Sequence, residues 1–217
     1  MSERLKQKTA VVTGAGSGIG SAIASLFARQ GARVALLDLT TETTEPLINC
    51  AGVNVFRDAL ALTDDDWQRC INVNLQGPYN LIRSVLPGML KRHYGNIVNV
   101  ASVHGHKIIP GAFPYPVAKH GLIGLTRSLG VEYASQGIRI NSISPGLIMT
   151  PAAEAWLASC PDPAAERQRQ QNLLPCKRIG EPDEVAYTAL FLASDEARFI
   201  NATDIVIDGG RSQVYHD

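Results

Sequence analysis

The sequence predicts an α/β fold whose core is a doubly wound parallel sheet flanked by helices. Two observations carry this prediction. Short β-branched runs alternate with segments of helical periodicity along the whole chain, and a glycine-rich turn joins the first predicted strand to the first predicted helix. With 217 residues, the chain is long enough for one large domain with a substantial core, so we expect 1–217 to be a single domain.

The predicted elements follow one another as strand and helix. The strands are short apolar runs that end in turn residues, and they cover residues 9–14, 33–38, 46–52, 95–102, 138–146 and 204–210. The helices have apolar residues at helical spacing, and they cover residues 18–31, 63–92, 115–136 and 181–194. Gly31 is expected to cap the first helix, and Gly77-Pro78 to interrupt or bend the second. Residues 147–180 are polar and are expected to form a cap over the site.

Composition excludes several classes of function. Lys+Arg and Asp+Glu both number 20, so the zero net charge gives no support for binding nucleic acid or an anionic membrane. No apolar run reaches the ~18 residues of a membrane span, and no signal peptide is visible. The four cysteines form no CxxC pair and no metal-ligand spacing. We therefore expect a cytoplasmic protein with reduced thiols and no metal.

The glycine-rich turn, TGAGSGIG at residues 13–20, predicts dinucleotide binding. Gly14 allows a tight turn, Gly18 lets the backbone approach a pyrophosphate, and Gly20 lets the helix lie close to the strand. The N-terminus of the following helix adds free N–H groups and the positive end of its dipole. An ordinary surface loop is the alternative. The position of the turn between a strand and a helix favours the nucleotide.

Asp38 ends the second predicted strand, 24 residues after Gly14. A carboxylate at this distance accepts hydrogen bonds from ribose hydroxyls and repels a 2′-phosphate. No Arg or Lys follows in LTTETTEP, so NAD is favoured over NADP. A solvated aspartate at a strand end is the alternative.

Tyr115 and Lys119 in YPVAK lie four residues apart on one helix face. A phenol with an ordinary pKa of ~10 is a poor base at neutral pH, and a nearby ammonium is expected to lower that pKa. Ser102 ends a predicted strand 13 residues before Tyr115, where its hydroxyl is expected to polarise a carbonyl. Together the three residues predict proton transfer at a carbonyl or alcohol.

These motifs together resemble the short-chain dehydrogenase/reductase family. The matching stretches occur in the family's order over almost the whole chain, and they are TGAGSGIG, NCAG (49–52), NVNL (72–75), the VAS ending at Ser102, YPVAK, SPGLIMT (144–150) and IDGG (207–210). The resemblance implies a Rossmann-type domain and an NAD(P)-dependent oxidoreductase that acts on CH–OH groups.

The resemblance also implies roles. Tyr115 would be the general acid/base, Lys119 would bind the nicotinamide ribose, and Ser102 would hydrogen-bond the substrate oxygen. Asn74 would hold a water molecule that links Lys119 to solvent. The residues that would bind the cofactor are Gly14, Ser17, Gly18, Ile19, Gly20, Asp38, Asn49, Ala51, Gly52, Tyr115, Lys119, Pro145, Gly146 and Thr150.

The substrate is less well defined by the sequence. His104 and His106 follow Ser102, and Trp156 lies in the cap, so all three are candidate substrate contacts. The long polar cap favours a sugar, polyol or sugar acid, with a 3-oxoacyl thioester or hydroxysteroid as the enzymatic alternative. A catalytically silent nucleotide-binding protein is the alternative of another class. Members of the family commonly form homo-oligomers, so we expect a homotetramer or a dimer.

One departure concerns the link between the second and third strands, in LLDLTTETTEPLINCAG (36–52). Only residues 39–46 remain, whereas a parallel crossover normally takes a dozen or more residues and a helix. We therefore expect a sheet that lacks one strand and its flanking helices between residues 38 and 47. Either the sequence lacks a segment of the natural protein, which the intact motifs favour, or a true deletion has weakened the adenine pocket.

Overall fold

A six-stranded parallel sheet organises residues 3–36 and 46–215, which are the residues described by the structure, a computed structural model. The strand order is β2-β1-β3-β4-β5-β6. The strands are β1 (Thr9–Val12), β2 (Arg33–Leu36), β3 (Leu47–Asn49), β4 (Gly95–Val100), β5 (Ile138–Pro145) and β6 (Asp204–Ile207). The doubly wound parallel sheet predicted from the alternating pattern is confirmed.

Seven α-helices are described. They are α1 (Gly18–Arg29), α2 (Asp64–Ile71), α3 (Gly77–Arg92), α4 (Tyr115–Glu132), α5 (Pro151–Ala158), α6 (Pro163–Leu173) and α7 (Pro182–Ala193). The polar segment 147–180 contains α5 and α6, and a bridge between Ile148 and Gly180 closes it. Within the described ranges, no helix combines the length and apolar character that crossing a bilayer requires.

Two apolar layers hold the sheet between its helices. On one face, Ile23 and Phe27 of α1 and Leu190 of α7 are buried in the same cluster as Val12 of β1. On the other face, the buried side chains of α3 lie against the central strands, as Met89 does in a cluster with Ile97. Because both faces are covered, the carboxyl ends of the strands form a rigid platform.

The helix predicted over 63–92 is interrupted near Gly77-Pro78, as expected. A π-helical turn, Asn72–Gln76, separates α2 from α3 and ends just before Gly77. Inside this turn, the Asn74 side chain donates to the carbonyl of Cys70 at 2.9 Å. Pro78 is the second residue of α3 and has no N–H to donate to the π-helical turn that directly precedes this helix.

The short link joins two strands that lie on opposite sides of β1. Val12 pairs with Leu36 of β2 and with Ile48 of β3. Within the described residues β2 is the edge of the sheet, and Leu36 is 55% exposed. This agrees with the expected sheet that lacks one strand. Residues 37–45, with Asp38 and the course of the link, lie outside the described residues, so the choice between deletion and an absent segment stays a prediction.

Candidate active site

The predicted functional residues gather at the carboxyl edge of the sheet. The glycine-rich turn follows β1, the Asn49–Gly52 turn follows β3, and Ser102 follows β4. The segment that begins at Pro145 follows β5. Ligands of open α/β sheets bind outside these strand ends, so this edge is the candidate site.

The glycine-rich turn is shaped to receive a phosphate. Helix α1 begins at Gly18, and the side chain of Ser17 makes no capping hydrogen bond. The first-turn N–H groups are therefore left for an anion. A β-carbon added at Gly20 would lie 2.2 Å from the carbonyl oxygen of Gly14, so only glycine lets α1 start this close to the strand.

The turn after β3 lies directly against the glycine-rich turn. The hydroxyl of Thr13 accepts the N–H groups of Cys50 and Ala51 at 3.1 and 3.0 Å. A β-carbon added at Gly14 would lie 2.8 Å from the α-carbon of Ala51. The two turns therefore form adjoining walls of one cleft.

The segment after β5 reaches the same cleft. Gly146 donates its N–H to the carbonyl of Ile207 at 2.8 Å, which fixes the start of the segment on β6. Thr150 caps α5 by accepting the N–H of Ala153, and a β-carbon added at Gly18 would lie 3.1 Å from its methyl carbon. The predicted cofactor residues other than Asp38, Tyr115 and Lys119 therefore follow strand ends at one edge, and this arrangement fits a dinucleotide.

Tyr115 is the first residue of α4, and a hydrogen bond from Ser102 is one of the influences on the pKa of its phenol. Burial raises the pKa of the Tyr115 phenol to about 12, and the hydrogen bond with Ser102 opposes that rise. The expectation that Lys119 holds this pKa below its ordinary value is not met. Removal of the phenol from water outweighs the stabilisation of the phenolate.

Lys119 lies one helical turn after Tyr115 and is only 4% exposed. Its Nζ donates to the carbonyl of Val100 at 2.9 Å and lies 5.5 Å from the centre of the Tyr115 ring. Burial lowers the pKa of Lys119 to about 8. The group is therefore mostly protonated at neutral pH and can lose its proton a little above it.

Asn74 lies at the centre of the π-helical turn and is fully buried. Its Nδ2 donates to the carbonyls of Val53 and Cys70 at 2.9 Å, and its Oδ1 accepts the N–H of Val53 at 3.2 Å. A β-carbon added at Gly52 would lie 3.1 Å from Oδ1 of Asn74 and 3.8 Å from Nζ of Lys119. Asn74 and Lys119 thus flank the same glycine, and the implied water between them stays a prediction.

Family models match nearly the whole chain. The model described as "short chain dehydrogenase" matches residues 8–47. The model described as "Enoyl-(Acyl carrier protein) reductase" matches residues 41–212. The chain belongs to the short-chain dehydrogenase/reductase family. As a member of this family it is an oxidoreductase.

Similar proteins carry different substrate names. The chain is 36% identical to the oxidoreductase UcpA of Salmonella typhimurium, over 95% of each chain. It is 35% identical to a 3-oxoacyl-[acyl-carrier-protein] reductase, FabG, of Thermotoga maritima, over 95% of this chain and 98% of that one. Its fold matches the ligand-free aldohexose dehydrogenase of Thermoplasma acidophilum with a TM-score of 0.91, 31% identity, and coverage of 100% and 98%.

The alignment with UcpA also shows how many residues this chain lacks relative to that protein. The alignment spans 250 positions, whereas the whole chain has 217 residues. At least 33 positions therefore have no counterpart here. The two family models overlap over residues 41–47, which include most of the short link after β2.

An aromatic wall beside Tyr115 was not predicted from the sequence. The rings of Phe56 and Tyr115 are 5.7 Å apart, and those of Phe56 and His104 are 6.4 Å apart, both edge to face. The ring of His104 lies 6.0 Å from that of Tyr115. Phe56 is 40% exposed, so it presents apolar surface next to the reactive phenol. In the sequence, the apolar residues of VNVF directly after Gly52 are the signal that could have found this wall.

His104 adjoins both Ser102 and Tyr115. Its N–H donates to the Ser102 hydroxyl at 3.1 Å, and its Nδ1 lies 3.3 Å from the carbonyl of Lys107. A carbonyl only accepts, so Nδ1 carries the proton and Nε2 is left as an acceptor in the neutral ring. Burial lowers the pKa of His104, and this favours the neutral form.

The remaining candidates lie elsewhere. His106 turns toward Asp204 on β6, at 2.7 Å, and Trp156 is 42% exposed on α5. Burial raises the pKa of Cys50 to about 11, which suits a packed thiol. Among the described residues, no group of three or more His, Cys, Asp or Glu side chains is placed to hold a metal.

Proposed function

We propose that the chain is an NAD-dependent oxidoreductase that interconverts a secondary alcohol and a ketone. The observation that carries this proposal is the grouping of Tyr115, Lys119 and Ser102. The buried Nζ of Lys119 lies 5.5 Å from the centre of the Tyr115 ring. The Ser102 hydroxyl accepts the backbone N–H of His104, whose ring lies 6.0 Å from that of Tyr115. These groups lie at the strand ends that also carry the glycine-rich turn. Membership of an oxidoreductase family supports the same reaction class.

Tyr115 is the proton donor and acceptor in this proposal. In the direction of reduction, its hydroxyl gives a proton to the carbonyl oxygen of the substrate. In the direction of oxidation, its phenolate takes the alcohol proton. Ser102 donates its hydroxyl hydrogen to the same substrate oxygen, where negative charge develops.

When bound, the nicotinamide cofactor supplies or accepts the hydride at the carbon that carries this oxygen. The N–H groups that open at Gly18 would hold the pyrophosphate, and Lys119 would hold the nicotinamide ribose. Protonated Lys119 would favour the phenolate of Tyr115 at close range, against the larger effect of burial on that pKa. Asn74 would position a water molecule for proton exchange with Lys119.

Asp38 supports NAD as the cofactor, because its carboxylate would repel a 2′-phosphate. A cytoplasmic location, a homo-oligomeric assembly and the absence of nucleic-acid partners stay predictions from the sequence. A single domain over 1–217, with 147–180 as its cap, is likewise a proposal.

A sugar or polyol is the proposed substrate. The acceptor Nε2 of His104 suits a second hydroxyl next to the reacting carbon, and Phe56 suits a C–H face. The structural similarity to an aldohexose dehydrogenase supports this choice. The relative named as a 3-oxoacyl reductase keeps the thioester as the second candidate.

The assignment of Tyr115 is tested by Tyr115→Phe, with Tyr79→Phe on α3 as the matched control. We expect Tyr115→Phe to lower kcat at least about 10³-fold on any active substrate, with NADH affinity kept within about threefold. Stopped-flow absorbance and NADH fluorescence measure the two quantities. Unchanged turnover in Tyr115→Phe would contradict the role, and NADH binding without turnover of any alcohol or ketone would favour a silent binding protein.

The substrate class is tested by His104→Leu. We expect kcat/KM for aldohexoses such as D-glucose to fall about 10-fold, because a buried hydroxyl loses its acceptor. Activity with an acetoacetyl thioester should change by less than about twofold, since that substrate offers no such hydroxyl. The reverse pattern would select the thioester.

A further inference from the structure

A buried carboxylate ties the turn after Ser102 to the far strand of the sheet. Oδ2 of Asp204 lies 2.7 Å from Nε2 of His106, and Oδ1 accepts the hydroxyl of Ser142 at 2.5 Å. The Asp204 side chain is 2% exposed and that of His106 is 29% exposed. Ser142 of β5 and Asp204 of β6 are paired in the strand register. The cluster thus joins two strands and one loop.

This contact differs from a surface ion pair. An exposed pair contributes little to stability, because water and salt screen it. A carboxylate buried to this extent needs hydrogen-bond donors on its oxygens, and His106 supplies one of them. Asp204 accepts both hydrogen bonds. The cluster therefore holds the loop in place, and it does not pair a nucleophile with a base.

His106 closes the turn that Ser102 opens. The Ser102 hydroxyl accepts the N–H of His104, and the Ser102 carbonyl accepts the N–H of Gly105 at 2.8 Å. His106 and Lys107 both donate to the carbonyl of Val103, at 2.9 and 2.8 Å. The segment is therefore one short helical turn, which begins at Ser102 and is anchored through His106.

The same turn is wedged against the helix that carries Tyr115 and Lys119. A β-carbon added at Gly105 would lie 2.4 Å from Cδ1 of Ile123 and 3.1 Å from the carbonyl oxygen of Lys119. The turn therefore has no free space on the α4 side. On its other side, the neighbour of Gly105 is held by Asp204, so the distance from Ser102 to Tyr115 depends on both contacts.

We propose that His106 and Asp204 are positioning residues that hold the Ser102 turn against α4, in register with Tyr115. The proposal rests on the proposed function, because the geometry that it protects is the Ser102–Tyr115 pair. His106 in this assignment acts through Ser102 and does not touch the substrate. Ser142 completes the anchor by holding the second oxygen of Asp204.

The test compares His106→Leu, which removes the donor, with His106→Gln, whose amide can still donate to Asp204. Asp204→Asn perturbs the acceptor, and Glu196→Gln is the control. Glu196 forms an ion pair with Arg4. The preceding residue, Asp195, accepts a hydrogen bond from Tyr94, which lies just before β4. Ser102 follows β4, so the control lies near the opposite end of that strand. The His106 variants keep the test decisive if Asp204→Asn does not fold.

Two readouts separate positioning from general stability. Hydrogen exchange measured by mass spectrometry reports the amides of residues 104–107, and we expect exchange at least about 10-fold faster in His106→Leu. With D-glucose and NAD as probes, kcat should fall about 10- to 100-fold while NADH affinity stays within about threefold. His106→Gln should restore both quantities to near the wild-type values.

Equal exchange and equal kcat in His106→Leu and wild type would overturn the proposal. Failure of His106→Gln to rescue would also overturn it, because the donor would then not be what matters. If wild type turns over no alcohol or ketone, the proposed function fails. Hydrogen exchange alone then decides whether the anchor exists.

Discussion

The two sides of the sheet differ in how well their residues are covered. On the side of β3 to β6, the catalytic candidates are tightly enclosed, with Asn74 at 0%, Lys119 at 4% and Ser102 at 7% exposure. On the side of β1 and β2, the described residues end at an open strand edge, where Leu36 is 55% exposed. The catalytic candidates thus lie in an enclosed site, whereas the strand that precedes Asp38 is an exposed edge of the described sheet.

The difference shows that the two ends of the site depend on separate parts of the chain. Strand β3 pairs directly with β1, so the turn at Asn49 keeps its place beside the glycine-rich turn whatever lies beyond β2. Tyr115 and Lys119 come from α4, which lies over the opposite half of the sheet. A shortened edge should therefore affect cofactor affinity before it affects the chemical step.

On the enclosed side of the site, replacing Lys119 should lower activity strongly, although less than replacing Tyr115. We expect Lys119→Met to lower kcat at least about 100-fold. We also expect the free energy of unfolding to rise by about 1–2 kcal/mol at pH 7, because a buried charge is removed. Steady-state kinetics and urea unfolding measure the two, with the exposed Lys91→Met as the control.

The sign of the pH effect follows from the lowered pKa. Folding lowers the pKa of Lys119 from 10.5 to about 8, so the unfolded chain binds more protons between these values. The contribution of Lys119 to the wild-type free energy of unfolding should therefore increase as pH rises through this window. Lys119→Met should show no such increase. Tyr115, with its raised pKa, acts in the opposite direction only above about pH 10, so the comparison is made at pH 7 and pH 9.5. A destabilised Lys119→Met at pH 7 would contradict the account.

The open edge predicts a weak contribution from the adenosine half of the cofactor. Removing adenosine, by replacing NADH with reduced nicotinamide mononucleotide, should weaken binding to this chain by only about 10-fold. In UcpA, whose alignment with this chain needs at least 33 further positions, the same change should cost about 100-fold or more. Fluorescence titration of both proteins gives the ratios, and equal ratios would remove the proposed asymmetry.

Replacing Asp38 tests the β1 and β2 side of the site, and we expect a smaller effect there. Asp38→Ala should lower the ratio of kcat/KM for NAD to that for NADP by about 10-fold, because repulsion of the 2′-phosphate is lost. Asp58→Ala, in the loop after Gly52, serves as the carboxylate control. An unchanged ratio would show that Asp38 does not select the cofactor.

Much of this comparison could be predicted from the sequence. Alternating periodicity gave the strand and helix order, and Tyr115, Lys119 and Ser102 stood out because their chemistry depends on short spacings at strand and helix ends. The open edge was also expected, because eight residues are too few for a normal parallel crossover.

Contacts between distant segments could not be predicted in this way. Phe56 meets Tyr115 through a loop whose path depends on a bridge to Pro114. Asp204 meets His106 across 98 residues. The sequence marked His106 only as a candidate substrate contact, and no local pattern marked Asp204. The direction of the pKa change at Tyr115 was also missed, because burial is a property of the packed site and not of the YPVAK motif.

The most direct test is an NADH titration of the 217-residue chain itself, with its intact mass of 23.3 kDa verified first. We expect saturable fluorescence enhancement with a Kd between about 1 μM and about 1 mM, and competition by reduced nicotinamide mononucleotide. Absence of binding up to about 5 mM NADH in a folded sample would contradict the claim that the nicotinamide side of the site functions without the missing strand.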